Sequence, residues 1–216
     1  IGSELCRQVA RLSPARLVMF EIAESALFDL EHEMREEFPD VSIDAVIGDV
    51  FGNHPSLRTA AVAVATPGGS GALRHAVCNF LEPGQALLTP SFFWGPYQTI
   101  ADEADRRLAT FPMFGSDGAF DVDALERSLK GLMSTQGRVL LLINDPCNNP
   151  TGYTMRPEEW RAVVALLLAH ADRGPVTLLI DTAYAAYGAR PPAALLDDLM
   201  PLAGRVPVLF AWSASS

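Results

Sequence analysis

The chain has 216 residues, 49% of them hydrophobic and 19% charged, enough to bury a sizeable core and too apolar for wholesale disorder. Its formal net charge of −10 repels a phosphate backbone and argues against a nucleic-acid partner, while leaving room for a local anion site built from backbone amides. The three cysteines, Cys6, Cys78 and Cys147, lack metal-ligand spacing, no apolar run approaches the ~20 residues that span a bilayer, and the opening IGSELCRQVARL lacks the form of a signal peptide. The expectation is a reduced, cytoplasmic setting with no membrane partner and no metal.

In chain order, Leu5, Val9 and Leu12 give helical spacing over residues 3–12. RLVMFE (16–21) reads as a short buried strand. SALFDLEHEMREEF (25–38) is an amphipathic helix with Leu27, Leu30 and Met34 on one stripe. VSIDAVIGDV (41–50) alternates and ends on a Gly-Asp turn. Helices follow over 71–81, 95–105, 122–133 and 157–171, and strands over 86–89, 107–112, 138–143, 176–181 and 206–211. Strands of about five apolar residues alternating with longer helices predict βαβ units and a mostly parallel sheet.

Ligands of open α/β sheets bind beyond the carboxyl ends of the strands, so four loops carry the functional reading. ATPGGSGALRHA (65–76) is a Gly-rich turn opening a helix: a phosphate cradle, or an ordinary flexible turn. In LLTPSFFWGPY (87–97), the Trp94 indole either stacks on a flat ligand or fills the core. NDPCNNPTGY (144–153) sets Pro146 and Pro150 beside the amides of Asn148 and Asn149, with Gly152 placed for a conformation closed to other residues. In LLIDTAYAAYG (178–188), Asp181 ends a buried strand, where a carboxylate is costly unless paired, or caps the segment that follows.

The order and spacing of these loops, above all DPCNNPTGY, resemble the large domain of the fold-type-I pyridoxal-phosphate aminotransferases of the aspartate/aromatic kind, over residues 51–216. The resemblance implies a three-layer α/β/α fold with a mostly parallel sheet and pyridoxal 5'-phosphate as cofactor. It implies that Gly69 and Ser70 hold the cofactor phosphate and that Trp94 stacks on the pyridine ring. It further implies that Asn149 and Tyr184 reach the ring hydroxyl and that Asp181 pairs with the pyridinium nitrogen. An ionised Asp there keeps the ring protonated and so a better electron sink. Ser213 and Ser215 are further candidates for the phosphate. The implied substrates are an α-amino acid and a 2-keto acid, and the implied assembly is a homodimer.

The family also uses a lysine to form an imine with the cofactor. Lys130 is the only lysine here, and ALERSLKGL reads as a surface helix. The expectation is that the imine-forming lysine follows Ser216 in the full protein. Residues 1–50 resemble a different family, the Rossmann start of NAD(P)-dependent nucleotide-sugar dehydratases. That resemblance makes Gly2 the last glycine of a dinucleotide loop, puts Glu21 at a strand end to meet a ribose, and sets Asp49 and Val50 near an adenine. The domain expectation is therefore a partial Rossmann-like βαβ segment, 1–50, ahead of an aminotransferase large domain, 51–216. Two alternatives to an aminotransferase remain: a nucleotide-sugar dehydratase or epimerase, and a non-catalytic scaffold that keeps the aminotransferase sheet.

Overall fold

The structure, a computed structural model, describes residues 7, 10–11, 16–21, 24–47 and 66–212. Most of the helix expected over 3–12, the turn at 48–50, and the candidates Gly2, Asp49, Val50, Ser213 and Ser215 lie outside the described residues. The chain divides into two compact units, Ile1–Ala65 and Thr66–Ser216.

In the first unit, β1 (Arg16–Glu21) and β2 (Ser42–Ile47) pair in parallel, in register from Arg16↔Ser42 to Glu21↔Ile47. Helix α1 (Glu24–Glu37) makes the crossover, as a parallel pair requires. Met34, fully buried, packs with Ala10, Val41 and Ile43 in a small apolar cluster flanked by Leu30 and Phe38. The stripe read from the sequence therefore does face a core at Leu30 and Met34.

The second unit is built on five parallel strands. They are β3 (Ala86–Pro90), β4 (Arg107–Phe111), β5 (Val139–Asn144), β6 (Val176–Asp181) and β7 (Val208–Ala211), in the order β4-β3-β5-β6-β7. The three inner strands, ALLTP, VLLLIN and VTLLID, are buried at every position. Such continuous apolar runs mark parallel strands covered on both faces. Alternate residues serve opposite layers. Leu87, Leu140, Leu142 and Leu179 pack with Leu73, Val77, Tyr97 and Ile100 of helices α2 (Gly68–Phe80) and α3 (Pro96–Glu103). Leu88, Leu141, Leu178 and Ile180 pack with α4 (Val122–Gln136), α5 (Pro157–Ala171) and α6 (Pro192–Leu199) through Leu125, Leu129, Trp160, Val163, Leu167 and Leu199. Each fully buried leucine contributes about 1.5–3 kcal/mol relative to exposure, so this doubly covered sheet dominates the stability of the unit.

Local signals fix the helix ends. Asp121 caps α4 by accepting from the Ala124 amide at 2.8 Å, and Gly137, at φ +72°, closes it in the left-handed region. Pro157 opens α5, where Glu159 accepts from the Arg156 amide at 2.8 Å. Two features depart from the sequence reading. Helix α2 starts at Gly68, three residues before the periodic stretch that begins at residue 71, because its first turn is all Gly and Ser and carries no apolar period. Helix α6, eight residues long, was not expected; a single short turn pair rich in Ala, Leu and Asp is too brief for a periodic signal.

From β3 the chain steps outward to β4 and returns on the other side of β3 to form β5. The crevice between the loops leaving β3 and β5 is the topological switch point, where such sheets bind ligands. Among the described residues no helix is long and apolar enough to cross a membrane.

Candidate active site

The carboxyl ends of β5 and β6 hold the centre of the site. Asn144 and Asp181 are register partners, so their side chains stand side by side where the sheet ends. Asn144 Nδ2 donates to the Asp181 carbonyl at 2.9 Å, and Asn144 Oδ1 accepts from the Asn149 amide at 2.7 Å. One buried asparagine thus ties the strand that carries Asp181 to the loop that carries Asn149. The Asn149 Nδ2 in turn donates to the Tyr184 hydroxyl at 3.3 Å. These two candidates were assigned to the same ring oxygen, and the structure brings them into direct contact.

Asp181 is 7% exposed. Its Oδ1 accepts from the Ala183 amide at 3.1 Å and its Oδ2 from the Tyr97 hydroxyl at 2.5 Å. The bond to Ala183 is a local turn and not a helix cap: the short helix Ala185–Tyr187 that follows has Tyr184 at its N-cap and no side-chain cap bond, so the capping role weighed from the sequence is not what Asp181 does. Burial pushes the Asp181 carboxyl above its ordinary range, against the pull of the bonds from Tyr97 and the Ala183 amide. Among the described residues no cationic side chain forms an ion pair with it. A cationic ring N–H beside Asp181 would relieve that burial cost and restore the ionised form.

Tyr97 was not singled out in the sequence. It is 1% exposed in the first turn of α3, and burial together with the Asp181 charge raises its phenol far above the ordinary value, so it remains a donor. Trp94 lies three residues earlier, edge-on to Tyr97 with ring centroids 5.7 Å apart. The indole is partly buried against the α2–α3 side of the core, so it reaches Asp181 through Tyr97. The only signal for Tyr97 was its spacing from Trp94, which places both on one side of a helix start. Asn144 opens the loop NDPCNNPTGY in the sequence reading, and nothing there gives it a role.

The loop after β5 is braced at both ends. Asp145 Oδ1 accepts from the Met155 amide at 2.7 Å, and Oδ2 accepts from the Trp160 Nε1 at 3.1 Å. Burial raises this carboxyl to about 6, against the hydrogen bonds from Met155 and Trp160. Asn148 Nδ2 donates to the Phe92 carbonyl at 3.3 Å, joining the β3 and β5 loops across the switch point. Gly152, at φ +71°, takes the conformation expected of it, and the peptide bonds before Pro146 and Pro150 are cis. Glu159 secures the far side: it accepts from the Phe120 amide at 3.0 Å, the Tyr153 hydroxyl at 2.6 Å and the Arg156 guanidinium at 2.8 Å. Burial would raise its carboxyl, but the bonds from Arg156 and Tyr153 prevail and hold it at about 2.

Gly69 and Ser70 lie in the first turn of α2, whose N-terminus has no side-chain cap. The orphan amides of that turn, reinforced by the helix dipole, suit a phosphate. Helix α2 ends five residues before β3 begins, so its first turn, ~20 Å away along the helix, points toward the edge where the strands end. A Cβ on Gly71 would lie 2.7 Å from Pro67 Cδ, so glycine is required for this tight entry. Gly69 and Ser70 share no hydrogen bond with the other candidates among the described residues. Lys130 is on α4, ion-paired with Glu126 at 2.7 Å, on a helix that follows none of these loops.

The donor set fits pyridoxal phosphate: a buried carboxylate for a ring cation, an amide and a phenol in contact for a ring oxygen, an indole at a strand end, and uncapped amides for a phosphate. For the first segment, Glu21 does end β1, while Gly2, Asp49 and Val50 lie outside the described residues.

Comparison with known proteins gives an independent result. The profile of the family "Aminotransferase class I and II" matches residues 29–215, which takes in most of α1 and all of β2. The aromatic-amino-acid aminotransferase of Pseudomonas aeruginosa is 33% identical over 135 residues, covering 61% of this chain and 32% of that protein. The Escherichia coli aromatic-amino-acid aminotransferase is 30% identical over 145 residues, covering 65% and 35% respectively. An aminotransferase structure from Anaerococcus prevotii superposes with a TM-score of 0.66 at 33% identity, over 71% of this chain and 38% of that one. Cytoplasmic aspartate aminotransferase from Saccharomyces cerevisiae shares the fold, with a TM-score of 0.66 at 15% identity over all of this chain and 50% of that one. The chain thus spans about a third of the length of the curated relatives it matches. By the extent of the family match, over residues 29–215, this chain belongs to the class I and II aminotransferases.

Proposed function

We propose that the protein is a pyridoxal-phosphate-dependent aminotransferase that moves an amino group from an α-amino acid to a 2-keto acid. The observation that carries this reading is the Tyr97–Asp181–Asn144–Asn149–Tyr184 hydrogen-bonded chain at the ends of β5 and β6. When bound, the cofactor supplies an electron sink for the carbanion left by loss of the α-proton.

The chain's own residues bind and orient. Asp181 holds a proton on the ring nitrogen, and Tyr97 donates to the same carboxylate and keeps it aimed. Asn149 and Tyr184 present donors to the ring hydroxyl. Trp94 covers a ring face, and the amides of Gly69 and Ser70 anchor the phosphate. Ser213 and Ser215 belong to this proposal as phosphate ligands. The reading requires an imine-forming lysine outside these 216 residues, because Lys130 is on a helix remote from the site loops. The relatives' names, aromatic-amino-acid, tyrosine and aspartate aminotransferase, favour the aspartate/aromatic branch. A homodimer in the cytoplasm completes the reading.

The test is Asp181→Ala in the full protein. Transamination is expected to fall by at least a thousandfold while circular dichroism and thermal unfolding keep their native form. Full activity in that variant would sink the cofactor-site assignment.

A further inference from the structure

The second unit carries a cavity away from the loops described above. The cavity, of about 230 Å3, opens between the C-terminal halves of α4 and α5 and is lined by Lys130, Met133, Ser134, His170 and Arg173. Both helices end where the next strand begins, so this cavity lies toward the edge of the sheet opposite the loops that carry Asp181. Its lining is cationic and hydrogen-bonding. Lys130 and Ser134 stand four residues apart, on one face of α4. His170 and Arg173 come from the end of α5, where the Arg173 amide donates to the His170 carbonyl at 2.9 Å.

The donors are free or weakly held. The Arg173 guanidinium makes no hydrogen bond or ion pair among the described residues. The Lys130 ammonium has one exposed partner, Glu126, one turn away, and such a pair is weak enough to be shared with a second anion. His170 is the sharper sign. It is 2% exposed, and its Nδ1 is buried with no hydrogen-bond partner. Buried polar atoms are nearly always paired, so an orphan imidazole nitrogen beside an open cationic cavity calls for a ligand.

We infer that this cavity is an oxyanion site of the phosphate class, in which Arg173 and Lys130 supply the charge, Ser134 a hydroxyl donor, and His170 a protonatable ring. With nothing bound, burial and the charges of Arg173 and Lys130 hold the His170 imidazole below its ordinary value, against the pull of Glu126. A bound dianion reverses that balance, so the ring takes up a proton on binding. The inference does not depend on the aminotransferase reading, because none of these residues belongs to the cofactor site.

The ring protons of the four histidines provide a local readout by NMR, with His170 assigned through His170→Gln. At constant ionic strength, inorganic phosphate should shift the His170 signals along a saturable curve and raise the pH at which the ring titrates. Arg173→Ala, at an exposed position, should weaken that binding at least tenfold, and Lys130→Gln should weaken it several-fold. Glycerol phosphate serves as the second probe: tighter binding than inorganic phosphate identifies a phosphomonoester as the ligand, and the reverse identifies the free ion. The inference is overturned if chloride moves His170 as phosphate does, or if Arg173→Ala leaves the phosphate curve unchanged.

Discussion

Tyr97→Phe removes one oxygen from the centre of the site and leaves the ring that packs against Trp94 in place. In the native protein the hydroxyl donates to Asp181 Oδ2 at 2.5 Å, and the carboxylate is left with only the Ala183 amide, at 3.1 Å, when that donor is lost. A hydrogen bond to a charged group contributes about 1.5–3 kcal/mol, and losing it raises the titration of Asp181 further. The direction follows from linkage. Asp181 already titrates above its unfolded value of 3.8, so its ionised form costs stability as pH rises through and beyond that value. Losing Tyr97 enlarges that cost. Tyr97→Phe should therefore lower unfolding stability by about 1.5–3 kcal/mol at pH 7 and by much less at pH 3.5, where the carboxyl is mostly protonated in both states. Urea unfolding at the two pH values measures the difference, and pyridoxal phosphate affinity in the full protein should fall alongside. An equal loss at both pH values would refute the reasoning, because the hydroxyl would then act as a packing group indifferent to the charge on Asp181.

Three other changes test the scaffold. Glu159 is held at about 2 against an ordinary 4.5, so it contributes about 3 kcal/mol above pH 4.5, lost as pH falls toward 2; Glu159→Gln should remove most of that acid sensitivity in a pH series of unfolding curves. Asp145 is raised to about 6, so native stability should decline as pH rises from about 4 to 6, and Asp145→Asn should flatten that segment of the same curve. Gly71→Ala sets a methyl group 2.7 Å from a ring carbon of Pro67, at the entry to α2; it should cost about 1–3 kcal/mol in thermal unfolding and weaken phosphate anchoring at Gly69 and Ser70.

Much of the second unit was legible because its physics is local. VLLLIN and VTLLID are continuous apolar runs, and only a strand covered on both faces buries every residue of such a run. Both strands therefore fell within a residue of their expected bounds. The loop residues were legible as types: prolines, a left-handed glycine, amides, and a carboxylate at a strand end. The start of α4 was legible as well, but its end was read at residue 133 and lies at Gln136, because the cap residues Asp121 and Gly137 were not used as signals.

What the sequence could not carry was any contact that depends on which strands lie side by side. Tyr97 and Asp181 are 84 residues apart, and their bond exists only because β3 lies next to β5 and β5 next to β6. Asn144 was read as the first residue of the loop and given no role until register placed it at the end of β5, opposite Asp181 and within reach of the Asn149 amide. The pairing of Lys130 and Ser134 with His170 and Arg173 likewise follows from α4 packing beside α5 on one face of the sheet. Composition, periodicity and turn chemistry are properties of neighbours along the chain and determined the fold class and the candidate loops. The order of the strands is a property of the packed sheet, and it decided which polar groups meet and so how the buried carboxylate of Asp181 is held.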